Sequence, residues 1–257
     1  MAYALVNLSK AYGTLPVIEG LSLEFRKGSV TAVLGPSGCG KTSILNILAG
    51  LDHAYTGSLQ GFGKAGAAYV FQEDRLMPWM SARANVEFVL RPFMDKKRRT
   101  AAALKAMEAV GLAGSADQLP EQLSGGMRRR VALARAFAFP SEVLLLDEPF
   151  SALDLKTRIS VMDLFLDLRQ SDGRTAIVVT HDVREAIYLG DSIAILSERP
   201  ARLLGWKEPG LQRSARGFTS PAAASVEVEI YGAILGFSSF RSEERRVGQE
   251  CRSRWWP

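Results

Sequence analysis

SVTAVLGPSGCGKTSILNILAG, residues 29–50, decides how this chain folds. A short β-branched apolar run, a glycine-rich turn and an amphipathic run follow one another without a break, which reads as strand, loop, helix. Within it Gly35-Pro36-Ser37-Gly38-Cys39-Gly40-Lys41-Thr42 spells G-x-x-x-x-G-K-[ST], with Ser43 directly behind. Glycines let successive N–H groups turn inward around a phosphate at a helix N-terminus. Lys41 adds a positive charge, and the Thr42 hydroxyl can ligate Mg²⁺. A glycine-rich turn arising by accident would lack this strand-to-helix setting, so the stretch is read as a phosphate loop in an α/β protein.

A matching half lies downstream. Val143-Leu144-Leu145-Leu146-Asp147-Glu148 is an apolar strand ending in two carboxylates. Asp147 is placed to hold Mg²⁺, and Glu148 to polarise an attacking water, a role worth about 10²–10⁴-fold in rate for a positioned base. A strand followed by a helix-capping acid would look the same in isolation; the upstream phosphate loop favours the catalytic reading. Leu123-Ser124-Gly125-Gly126-Met127 then opens a helix with a serine and glycine N–H groups suited to a γ-phosphate. The chain already has a phosphate loop of its own, so this second one implies a second subunit.

With these motifs the chain resembles an ATP-binding cassette (ABC) ATPase over residues 4–204, and within that family the importer ATPases of the nitrate, sulfonate and taurine group. The remaining family motifs occur in order: an aromatic at Tyr12, Gln72 in VFQED, Ser151-Ala152-Leu153-Asp154 after the carboxylate pair, and His181 in VVTHD. The resemblance implies a P-loop NTPase (RecA-like) core with an N-terminal antiparallel β subdomain and an inserted α-helical subdomain. It implies ATP and Mg²⁺ as cofactors. Tyr12 would stack on adenine, and residues 35–43 would bind phosphates together with Asp147. Gln72 would join Thr42 and Asp147 at the metal, Glu148, His181 and Gln72 would form the catalytic group, and Ser124, Gly125, Gly126 and Asp154 would meet nucleotide across a homodimer seam. A membrane permease would dock near Asp74 to Trp79, although Leu76, Met77, Pro78 and Trp79 suit a core equally well. A solute-binding protein would act through that permease. The chain would sit peripherally on the cytoplasmic face of the cell membrane, and no nucleic-acid partner is expected.

Two departures from the family pattern stand out: Arg129 where glutamine is common, and Thr42-Ser43 where Ser-Thr is common. Neither removes a hydroxyl or donor that the chemistry needs. The resemblance also leaves an exporter ATPase open, and a soluble cassette protein acting on DNA or ribosomes. The last class usually carries two cassettes or long coiled-coil insertions, and this chain has neither.

Composition sets outer bounds. With 257 residues, 47% apolar and 23% charged, the chain can build a sizeable core. A net charge of +5 does not select a partner. The two cysteines, Cys39 and Cys251, have neither the spacing of a zinc site nor a disulfide framework, and Cys39 reads as a small filler between glycines. There is no signal-peptide pattern, and no apolar run approaches the ~20 residues that span a bilayer.

Along the chain, strands are expected at YALVNL, LSLEF, SVTAVLG, AAYVF, VLLLD, TAIVVT and SIAIL. The helical runs ARANVEFVL, TAAALKAMEAVGL and GGMRRRVALARAFA form the insertion, about residues 80–138, within an ATPase domain of 1–206. Lys96 to Arg99 reads as a solvated helix start. Residues 207–240 read as a linker, LQRSARGFTSPAAAS, leading to one last helix in SVEVEIYGAIL. The tail from Arg241 to Pro257 carries five arginines, three glutamates and two adjacent tryptophans. It would suit a membrane-surface anchor, but RSEERRVG equals one reading frame of a common sequencing-library adapter, AGATCGGAAGAGCGTCGTGTAGGG. Residues 241–257 are therefore read as an assembly artefact.

Overall fold

A computed structural model of the chain describes residues 2–62 and 66–236; the adapter-like tail lies outside them. The described residues fall into two compact units. One comprises the described parts of Met1–Ile44, His53–Gly61 and Thr180–Pro257, the other Leu45–Asp52 and the described part of Phe62–Val179.

In the first unit β1 (Tyr3–Tyr12) and β2 (Leu15–Phe25) form a hairpin. They are joined by a two-residue turn in which Gly13 takes φ 59°. β4 (Thr56–Gln60) pairs along the other side of β1. Inward-facing Tyr3, Leu5 and Leu8 do not keep strict alternation, because the register shifts between Leu5 and Leu8. Asn7 absorbs the extra residue at φ 50°, a bulge that asparagine tolerates, and its N–H is taken up by Ser22 Oγ at 2.9 Å.

β3 (Val30–Leu34) leads into the phosphate loop and pairs in parallel with β8 (Ser192–Leu196). Every residue of both is buried, as strands covered on both faces require. β9 (Leu203–Lys207) adds an antiparallel partner to β8. α6 (Val183–Leu189) and α7 (Pro221–Leu235) pack on these strands through Ala186, Ile187, Ala223, Val226 and Ile230 against Ala32, Leu34, Ile193 and Ile195. The expected linker is corrected here: α7 starts inside it, with Ser220 as N-cap and Pro221 at the first position, where proline's missing N–H costs nothing. The strands at β4 and β9 were not expected. Both are short, glycine-containing and largely unburied, and are held by pairing rather than by an apolar pattern.

In the second unit β5 (Ala68–Val70), β6 (Val143–Asp147) and β7 (Thr175–Thr180) form a parallel ladder. α2 (Ala82–Leu90), α3 (Lys96–Ala109) and α4 (Gly125–Ala138) follow with no strand between them. Their core is Ala82, Val86, Ala103, Met107, Val131 and Ala134. Asp95 caps α3 just before the basic run, which starts that helix as expected. α5 (Leu155–Asp172) completes the unit and ends at Gly173 with φ 71°. α1 (Lys41–Leu48) begins in the first unit and ends in the second.

Candidate functional site

The phosphate loop is shaped by its glycines and closed on its own carbonyls. Gly38 takes φ 75° and Gly40 φ 122°. A Cβ on Gly40 would also lie 2.9 Å from Val17 Cγ1, so no other residue fits there. Cys39 N–H donates to Pro36 O at 3.3 Å. Lys41, 4% exposed, donates from Nζ to Gly35 O at 2.8 Å and Pro36 O at 2.9 Å. These contacts hold the ammonium inside the loop, where an incoming phosphate would exchange for the carbonyls. Ser37 is exposed, and Thr42 and Ser43 sit in the first turn of α1. The Cys39 side chain is buried; burial pushes its thiol up, against the opposing charge of Lys41.

Tyr12 stands beside this loop. Its hydroxyl lies 3.2 Å from Ser43 Oγ, its ring is half exposed, and Lys10 Nζ sits 4.6 Å from the ring centroid. A further contact escaped the sequence reading. From the loop between β8 and β9, Arg199 donates to Gly38 O from Nε at 3.1 Å and Nη2 at 2.6 Å. The arginine lies 161 positions downstream of the loop carbonyl that it binds, and no local pattern announces that. His181 follows β7 and is exposed; Asp182 after it caps α6, accepting from Arg184 N at 2.9 Å and Glu185 N at 3.3 Å.

In the second unit Asp147 ends β6, 6% exposed. Tyr69 Oη donates to its Oδ2 at 3.3 Å. Burial, reinforced by the Asp147 charge, pushes the Tyr69 phenol up and keeps it a proton donor. A buried carboxylate is an oxygen ligand of the kind that Mg²⁺ takes, alongside substrate phosphates. Among the described residues there is no cluster of three or more His, Cys, Asp or Glu side chains able to hold a metal by themselves.

Glu148 has φ 40°, a left-handed backbone that glutamate rarely adopts. Its N–H donates to Val179 O at 3.0 Å, and its carbonyl accepts from Ser151 Oγ at 3.1 Å, so bonds on both sides fix the strained turn. Strain of this kind collects at functional positions.

The Gln72 segment is pinned to α4 rather than loose. Arg129, 4% exposed, donates to Phe71 O at 2.7 Å and to Gln72 O, and pairs with Asp74 at 3.2 Å. Arg135 donates to Arg75 O at 2.8 Å and Asp74 O at 2.9 Å. Burial raises the Asp74 carboxyl despite Arg129, Arg128 and Arg135 nearby. The Gln72 side chain is exposed. Beyond it, Asn85, 1% exposed, binds Met77 N at 2.7 Å and Met80 O at 3.0 Å. That anchoring divides the expected docking segment: Leu76 packs on the helical core, whereas Trp79 is 77% exposed.

Ser124 caps α4, its Oγ accepting from Met127 N at 3.2 Å, and Gly125 and Gly126 form the first turn. A Cβ on Gly126 would lie 2.5 Å from Thr157 Cγ2. Thr157 N in turn donates to the cap residue of α5, Asp154, at 3.1 Å. The structure thereby brings Asp154 and Gly126 together around Thr157. Hydrogen bonds from Thr157 hold the Asp154 carboxyl below the usual carboxylate range.

Comparison with known proteins gives the family. The family model described as ABC transporter matches residues 18–151. The chain is 45% identical over 220 residues to the aliphatic sulfonates import ATP-binding protein SsuB 1 of Pseudomonas syringae pv. syringae (strain B728a), covering 86% of this chain and 90% of that one. It is 42% identical over 232 residues to the SsuB 1 of Pseudomonas savastanoi pv. phaseolicola (strain 1448A / Race 6), covering 89% and 95%. Among solved structures it is similar to dimeric MJ0796, a bacterial ABC transporter cassette, with a TM-score of 0.71 and 30% identity over 80% of this chain and 98% of that one. The same cassette in a post-hydrolysis state bound to ADP and Pi gives 0.70.

Proposed function

Because this chain belongs to the ABC transporter family and is an ABC-type ATPase, we propose that it powers an importer of a small anionic solute, an aliphatic sulfonate before nitrate or taurine. One observation carries the importer reading: likeness to sulfonate import ATP-binding proteins extends over 86% of the chain, well beyond the motifs that all nucleotide cassettes share. No helix among the described residues is long and apolar enough to cross a membrane; in this reading the translocation path belongs to a permease partner. Exposed Trp79 and the segment from Asp74 are its docking place, on the cytoplasmic face of the membrane. A solute-binding protein delivers cargo to the permease.

In this reading two copies assemble head to tail. One copy's Lys41 and loop amides cradle the β- and γ-phosphates, Tyr12 meets the adenine, and the partner's α4 N-terminus at Ser124 and Gly126 closes over the γ-phosphate. Thr42 and Asp147 would hold Mg²⁺, assisted by Gln72; when bound it neutralises charge on the phosphates. Glu148, fixed by its strained backbone, accepts a proton from the attacking water, and His181 orients the γ-phosphate. Asp154 keeps the seam in register. After hydrolysis the γ-phosphate no longer bridges the copies, and their separation moves the permease.

The test is the Glu148→Gln chain, with turnover and assembly measured together. It should hydrolyse ATP about 10²–10⁴-fold more slowly than the parent and accumulate as an ATP-bound dimer on a sizing column. Turnover at the parental rate would remove Glu148 from the mechanism. Reconstitution with a candidate permease, and ATPase stimulation by alkanesulfonate with a matching binding protein but not by nitrate, decides the solute.

A further inference from the structure

Tyr69 lies in none of the motifs, yet its hydroxyl reaches the carboxylate on which metal binding depends. β5 and β6 run parallel with Tyr69 opposite Leu145. Asp147 is two residues further along β6 and on the same face as Leu145, within the reach of a phenol. Tyr69 Oη stands 3.3 Å from Asp147 Oδ2 and 3.4 Å from Asn46 Oδ1. A phenol has one proton and cannot satisfy two acceptors. The carboxylate is the stronger acceptor. Asn46 then turns its amide to donate into Tyr69 Oη, an assignment made from the network as all amide orientations are. The result is a directed chain, Asn46 Nδ2–H to Tyr69 Oη–H to Asp147 Oδ2.

Both ends of this chain are held. Asn46 lies one helical turn after Thr42 on α1, and its carbonyl accepts from Leu51 N at 2.8 Å and Asp52 N at 3.2 Å. The Tyr69 ring stacks on Phe71, centroids 4.1 Å apart, and Arg75 covers Phe71 at 3.9 Å. Packing therefore already fixes the ring, and a phenylalanine would fill the same space. What the hydroxyl adds is a grip on one oxygen of Asp147.

We propose that Tyr69 is a positioning residue for the divalent metal, its hydroxyl fixing the Asp147 carboxylate so that the site gains affinity for metal-bound over metal-free nucleotide. Groups that orient a metal ligand through a hydrogen bond typically change metal affinity by about 10–100-fold when removed. The inference rests on the reading of Asp147 as a metal ligand, and the experiment separates the two.

The full chain is titrated with ADP by calorimetry, once in Mg²⁺ and once in EDTA, and the ratio of the two dissociation constants is the metal-dependent gain. Asp147→Asn should abolish the gain. Tyr69→Phe should leave ADP affinity in EDTA within about twofold and reduce the gain about tenfold. Asn46→Ala should reduce it less and add nothing in the Tyr69→Phe background, since both act through one chain. A full gain in Tyr69→Phe, with the gain lost in Asp147→Asn, overturns the role of Tyr69 and leaves Asp147 standing. A gain that survives in Asp147→Asn overturns the metal-ligand reading and this inference with it. Equal losses in Mg²⁺ and EDTA for Tyr69→Phe mean that the hydroxyl supports the nucleotide site as a whole, which also overturns the proposal.

Discussion

The backbone at Glu148 leads to a prediction that runs against the usual effect of glycine. At φ 40° a residue with a Cβ bears about 1–2 kcal/mol of left-handed strain, which glycine does not. Glycine gives back about 0.5–1 kcal/mol through its larger unfolded-state entropy. Glu148→Gly should therefore be more stable than Glu148→Gln by about 0.5–1 kcal/mol, the glutamine variant serving as reference because it removes the charge but keeps the side chain. For a chain of this size 1 kcal/mol corresponds to about 2–4 °C in Tm, so the glycine variant should melt roughly 1–4 °C higher.

The assay is differential scanning calorimetry of nucleotide-free protein, parent and both variants in one buffer, with ATP turnover measured on the same samples. Turnover should fall in both variants, because both lack the carboxylate. A glycine variant melting at or below the glutamine variant refutes the reasoning: the turn would then not be strained, and the bonds to Val179 and Ser151 would merely accompany an unstrained corner. If the prediction holds, the wild-type chain gives up stability at the residue proposed as the catalytic base, the pattern expected of strain stored at a functional site.

Other outcomes follow from the same geometry. Gly126→Ala places a Cβ against Thr157 Cγ2 at 2.5 Å; overpacking should cost about 1–3 kcal/mol in denaturant melts, and Thr157→Ser, which removes that methyl, should recover most of it. Arg129→Gln, the residue common in the family, leaves Asp74 partly buried without its closest countercharge and should destabilise by about 3 kcal/mol, whereas adding Asp74→Ala should restore part of the loss in a double-mutant cycle. Its pH dependence follows from the raised Asp74 carboxyl: folding favours the protonated form, so this group's contribution is full below the unfolded pKa and is lost as pH rises through the higher folded value. Urea midpoints of Asp74→Asn should accordingly vary less with pH than the parent's across that acid window. Arg199→Ala frees the Gly38 carbonyl, and ATP affinity should fall about tenfold by calorimetry, a loss of about 1.4 kcal/mol.

What the sequence disclosed and what it withheld divide along a physical line. The phosphate loop, the strand into Asp147 and the LSGG helix start are local patterns, in which the spacing of a few neighbouring residues already states the backbone conformation required. The parallel strands were legible because they are buried on both faces and read as apolar runs. β4 and β9 were not, since their order comes from partners distant in sequence. The start of α7 was missed: Ser220-Pro221 is a cap followed by proline at the first position, but the glycine, serine and alanine around it read as a linker until Ile230 is seen buried. The same division runs through the site. Motif residues announce themselves, but the residues that hold them do so across long stretches of chain: 78 positions from Tyr69 to Asp147, 161 from Gly38 to Arg199. Arg129 to Phe71 spans 58. Arg129 shows the consequence most sharply. As a departure from a family pattern it looks like an idle substitution on α4, yet it is a buried cation holding the Gln72 segment by two backbone carbonyls and the Asp74 carboxylate. The start of α4 and the Gln72 segment, which the proposed function assigns to a partner's nucleotide and to a permease, are thus tied by one side chain within one unit. A shift at either end must be borne by the other or by rupture of that pair.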